Sequence, residues 1–130
     1  MSTTPSSPAV VKIGEQDYEL ILTTRATREI AARYGGLENL GQALETSEDF
    51  AHTLAEVIWL ITLLANQSVA IHNLTHPDNP KSELSVDAVE LLTVPADLST
   101  YRGAIAAAMQ HGTGRAIETV PAPKDQEKDA

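Results

Sequence analysis

Apolar residues dominate Ala9 to Ile13 and, after Gly14-Glu15-Gln16-Asp17, recur from Tyr18 to Leu22. Two short β-rich runs around a glycine-containing turn predict an antiparallel hairpin. Beyond it the period lengthens. Ala26, Ile30 and Tyr34 recur every four residues, Thr23 or Thr24 can accept from the first free amides, and Gly35-Gly36 offers a left-handed stop. A helix is therefore predicted over 25–34. Leu37, Leu40 and Leu44 predict a short second helix over 37–44. The main helix is predicted to start at Thr46-Ser47-Glu48-Asp49, a hydroxyl cap followed by carboxylates at the positive end of the helix dipole. It runs to about Leu74, with Phe50, Leu54, Val57, Ile61, Leu64 and Ala65 as its core stripe. Pro77 and Pro80 make 76–80 a loop. Ser85 caps a fourth helix over 86–94, Pro95 breaks it, and a fifth spans 98–110 with Tyr101, Ile105, Ala108 and Met109 on one side and Gly112 and Gly114 as its end.

The fold class predicted is mainly α, formally α+β: an N-terminal hairpin, then about five helices, one of them long and central. A chain of 130 residues suits one domain, which buries roughly two-thirds of its unfolded surface. That domain is placed at 9–118. The Ser/Thr/Pro-rich residues 1–8 and the charged tail 119–130, ending Pro-Lys-Asp-Gln-Glu-Lys-Asp-Ala, are expected to be disordered.

The middle of the long helix is apolar all round. Trp59 and Leu63 lie opposite the core stripe, one turn apart, with Ala55 beside them and Leu60 bridging the two faces. Two readings stand: other helices of the same fold cover this face, or Trp59, Leu63, Leu60 and Ala55 meet a partner or a second copy, since tryptophan in an apolar patch is typical of binding hot spots.

Charge narrows the partner. The net charge of -9 and pI near 4.7 repel phosphate backbones and anionic lipid, so neither nucleic acid nor membrane is expected as a partner. Aromatics at 4% are too few for a base-stacking platform. The apolar stretch from Leu54 to Ala65 contains Glu56 and Thr62 and is shorter than the ~20 residues of a spanning helix. The opening MSTTPSSPAV has neither the basic residue nor the apolar segment of a secretory signal, and a cytoplasmic location is expected. The basic residues Lys12, Arg25, Arg28 and Arg33 precede an acidic stretch that has no Lys or Arg until Lys81. Either this is a solvated surface, or copies pack head to tail with Arg25 and Arg28 at the contact.

Candidate chemistry is sparse. The absence of cysteine removes disulfides and thiolate metal sites. His72 and His76 have metal-pair spacing, but Pro77 biases His76 out of helical geometry, and only Asp78 is at hand as a third ligand. His52 and His111 suggest no catalytic dyad. Gly112-Thr-Gly114-Arg115 follows a helix instead of opening one and lacks the Lys-Ser/Thr of a phosphate loop. No enzyme, metal or cofactor is expected.

The run Val10 to Thr24, followed by Arg25 to Leu40 with its Tyr-Gly-Gly-Leu, then a long apolar helix, resembles the opening of tail assembly chaperones of long-tailed, siphovirus-type bacteriophages and prophages. Leu84 to Leu92 and Tyr101 to Gly112 resemble that family's closing helices. The resemblance lies in the apolar spacing and covers roughly Val10 to Gly112. The resemblance implies a non-enzymatic, often oligomeric protein of the host cytoplasm. It would coat the hydrophobic tape measure protein, help recruit tail tube protein, and be absent from the mature virion. The family also makes a longer product by ribosomal slippage, and Ala122-Pro123-Lys124 is compatible with a slippery codon run. The alternatives are a structural tail or head-tail component that stays in the particle and, on charge alone, a small acidic antitoxin or regulator.

Overall fold

A computed structural model describes residues 9–44 and 49–119. The elements in order are β1 (Ala9–Ile13), β2 (Gln16–Leu20), α1 (Thr24–Tyr34), α2 (Leu40–Leu44), α3 (Phe50–Thr75), α4 (Val86–Leu92) and α5 (Leu98–Thr119), with single 3-10 turns at Leu37–Asn39 and Pro95–Asp97. The fold is mainly helical behind a two-stranded antiparallel hairpin, with α3 as its long central helix.

The hairpin pairs Ile13 with Gln16 and Ala9 with Leu20. Gly14, at φ 66°, supplies the left-handed backbone that a two-residue turn requires. Its inner face carries Val11, Ile13 and Leu20, all buried. Thr23 caps α1 by accepting from the amide of Ala26 at 3.0 Å, and Gly35, at φ 82°, closes the helix with its N–H on the Ala31 carbonyl.

The strands lean on different helices, β2 on α3 and β1 on α5. Val57, Leu60, Ile61, Leu64 and Ala65 of α3 and Ile30, Val89 and Ile105 from α1, α4 and α5 are fully enclosed. Two polar contacts lock the hairpin onto this core: the Tyr101 hydroxyl donates to the Lys12 carbonyl at 2.8 Å, and the Ile21 amide donates to the Leu64 carbonyl at 3.2 Å.

Several boundaries differ from expectation. Asp49 caps α3, accepting from the His52 amide at 3.1 Å, whereas the predicted Thr46–Ser47 cap lies outside the described residues, as do both chain ends. Phe50, assigned to the core stripe, is 46% exposed, whereas Thr53 in the same turn is buried: the covered side of the first turn runs through Thr53 and not through Phe50. The fourth helix stops at Leu92, and Pro95 starts the 3-10 turn that leads into the fifth. That fifth helix runs through Gly112 and Gly114 to Thr119. Gly112 is there for packing: a β-carbon on it would lie 2.8 Å from Cβ of Leu22, so its bare backbone lets the helix approach the chain leaving the hairpin.

By length and composition α3, at 26 residues, reaches the range of membrane-spanning helices, contrary to the shorter apolar stretch read from sequence. The fold itself uses that apolarity, since 56% of the helix's most apolar window is buried.

Candidate partner-binding grooves

The face of α3 away from the core is open along a groove. Its floor carries Trp59, Leu63, Gln67 and Ala70, with Arg25 and Glu29 of α1 on one wall and Glu83 and Val86 on the other. It continues past Arg25 and Ala70 to Ile71 and Leu74. The two sections hold about 260 Å3 and about 550 Å3. From Trp59 to Leu74 the stripe covers sixteen residues, whose fifteen steps of helical rise make about 22 Å, or four turns. Leu74 is 81% exposed at its far end.

Trp59 is half-buried and held from one side. The Tyr34 ring meets it edge-on at 6.1 Å between centroids, and the Arg33 guanidinium lies 4.3 Å over its face. Arg33 is itself fixed by Glu56, donating from Nε to Oε1 at 3.1 Å and from Nη2 to Oε2 at 2.9 Å. Tyr34 donates its hydroxyl to the same Oε1 at 2.6 Å. The paired guanidinium holds the buried Glu56 carboxyl below the usual carboxylate range, against the opposing effect of burial. Burial, followed by the Glu56 hydrogen bond, pushes the Tyr34 phenol well above its ordinary value.

The far wall is fixed by two asparagines of α3. Asn66 accepts from the Leu84 amide at 2.7 Å and donates to the Leu84 carbonyl at 2.8 Å. Asn73 does the same to Lys81 at 2.7 and 2.9 Å. Their spacing of two helical turns, about 10.5 Å, matches three extended residues, about 10 Å. Gln67, also buried, accepts from the Thr23 hydroxyl at 2.7 Å and ties α1 to the floor.

A second groove, of about 310 Å3 and more apolar, lies further round α3. Ala51, Leu54, Ala55 and Ile58 face Val94, Pro95 and Leu98 across it. Phe50 and Val94, which is 60% exposed, leave apolar surface open on this part of the molecule.

The residues predicted to form a contact therefore separate. Trp59, Leu63 and Arg25 share the long groove, and Ala55 lines the second. Arg28 is exposed on α1 and does not line the long groove. Leu60 has 0% exposure: it is enclosed by the fold's own elements and offers no surface to a partner. Sequence reasoning assigned Leu54 to the core stripe and closed a helix on Val94, and it did not bring Leu54, Ile58, Val94 and Leu98 together as a second apolar surface. It also missed the Arg33–Glu56 pair, placing its members in separate basic and acidic regions. Pro77 does end the helix, yet the His72 and His76 rings stack at 4.7 Å between centroids and 10° between planes. Among the described residues, no group of three or more His, Cys, Asp or Glu side chains is placed to hold a metal.

No protein-family model, curated protein or solved structure matches this chain.

Proposed function

We propose that this protein is a non-enzymatic assembly chaperone of a long-tailed phage, which binds an apolar helical stretch of the tape measure protein and helps bring tail tube subunits to it. The observation that carries the reading is the open, helix-length groove with Trp59 and Leu63 on its floor. A helix presenting apolar residues at i, i+4, i+7 and i+11 fits such a surface. The charge of -9 keeps a complex dispersed while its apolar surfaces are covered. Self-association of the chaperone, action in the host cytoplasm and departure before the virion is complete belong to the same reading.

Co-expression with the tape measure product of the same phage tests it. The expected result is a soluble complex recovered by size-exclusion chromatography, with the tape measure protein insoluble when expressed alone. A tape measure protein that stays insoluble in both cases contradicts the proposal. Mass spectrometry of purified virions separates the structural alternative, because a chaperone is missing from them.

A further inference from the structure

The hairpin has two outer edges, and β1 is the strand that packs along α5. In the observed register Ile13–Gln16, Val11–Tyr18 and Ala9–Leu20 are the hydrogen-bonded pairs next to a two-residue turn. Val10 and Lys12 on β1 and Asp17 and Glu19 on β2 therefore turn their backbone groups outward. Two contacts agree with this parity: the outward Lys12 carbonyl is taken by Tyr101, and the amide of Ile21, next in the odd-numbered series, is taken by Leu64. Between them, the outward N–H and C=O of Asp17 and Glu19 have no partner among the described residues. This edge opens on a groove of about 690 Å3, floored by Val69 and His72 and bounded opposite by Lys81 to Leu84, the segment that the two asparagines hold extended.

We propose that this edge receives an extended, basic segment of a partner protein, which adds to β2 as a third strand. Main-chain groups on both sides of the new ladder then pair as in other strand additions. Charge selects the occupant. Asp17, Glu19 and Glu83 line the groove against the one ammonium of Lys81. Side chains at alternate positions of an added strand stand beside Asp17 and Glu19 on the exposed face, where opposite charges stabilise and like charges repel. A second copy's β2 brings two carboxylates against these two, and its β1 offers a single ammonium, Lys12, whose carbonyl Tyr101 already takes, so a more basic strand suits this edge. The fitting ligand alternates Lys or Arg outward with small or apolar residues inward. The proposed surface meets the Trp59 groove only at Glu83, and the proposal does not depend on the phage assignment.

The test uses the full chain and a blocked hexapeptide of alternating lysine and valine, with an alternating glutamate and valine peptide as control. The expected result is saturable binding of the basic peptide only, with slowed amide exchange at Asp17 and Glu19 by NMR. Glu19→Gln, which removes charge alone, weakens binding a few-fold. Glu19→Pro, which deletes one outward N–H without touching the β1 ladder, weakens it tenfold or more. Absence of binding, binding that leaves those two amides unprotected, or equal affinity for the Gln and Pro variants overturns the proposal. Protection of the edge by self-association without peptide overturns it as well. If Glu19→Pro fails to fold by circular dichroism, protection of the two amides in the wild-type chain decides.

Discussion

Arg33 reaches from the last turn of α1 to Glu56 on α3 and holds it through two hydrogen bonds, while its guanidinium covers the ring of Trp59. A charge that the helix otherwise buries, at 6% exposure, is thereby satisfied, and the tryptophan is fixed on the floor of the groove. The pair therefore links core stability to the shape of the candidate site.

Replacing Glu56 by Ala removes the acceptor of both Arg33 and Tyr34. The guanidinium side chain is 38% exposed, so solvent compensates in part, and the expected loss is about 1–2 kcal/mol, less than for a fully buried pair. Urea denaturation of the variant checks this.

Acid acts on the same contact. The Glu56 carboxyl has a lowered pKa in the folded state, so its contribution is present above the ordinary carboxylate value and is lost as pH falls through the folded value. Wild-type stability should fall more steeply below about pH 4.5 than that of Glu56→Gln. At the other end, the raised Tyr34 value means that stability falls as pH rises past the ordinary tyrosine value near 10. Tyr34→Phe should remove that part of the alkaline decline.

The asparagine clamps predict a local effect. Asn66→Ala leaves the amide and carbonyl of Leu84 without their partners, at an expected cost of about 1–2 kcal/mol. Amide exchange at Leu84 should accelerate, while exchange in the middle of α3 changes only by the global loss.

Gly112→Ala improves helix propensity by about 1 kcal/mol but sets a β-carbon 2.8 Å from that of Leu22. Overpacking of this kind costs about 1–3 kcal/mol, so the variant should be less stable than wild type in thermal melts. A Leu22→Ala background, which keeps that Cβ but removes the bulk beyond it, should reduce the penalty.

Local signals wrote much of this fold into the chain. The hairpin, the Thr23 cap, the Gly35 stop and the apolar stripe Val57, Ile61, Leu64 and Ala65 each follow from neighbouring residues and were legible. What escaped depends on partners far along the chain. Gly112 reads as a helix stop until Leu22 is seen against it, and Glu56 reads as a surface acid until Arg33 is seen to reach it. Asn66 and Asn73 carry a sequence signal, two amides seven residues apart in an apolar helix, but their meaning depends on an extended segment that only the fold brings alongside. Of the site, the Trp59–Leu63 face was legible from helical spacing, whereas its walls were not.

The central claim is that the α3 surface around Trp59 meets another chain, and the affinity of a tape measure helix for wild-type protein and for Trp59→Ala tests it most directly. The account predicts a loss of tenfold or more, about 1.4 kcal/mol, with far-ultraviolet circular dichroism nearly unchanged. Unaltered affinity in a folded variant, or global unfolding by the substitution, contradicts it.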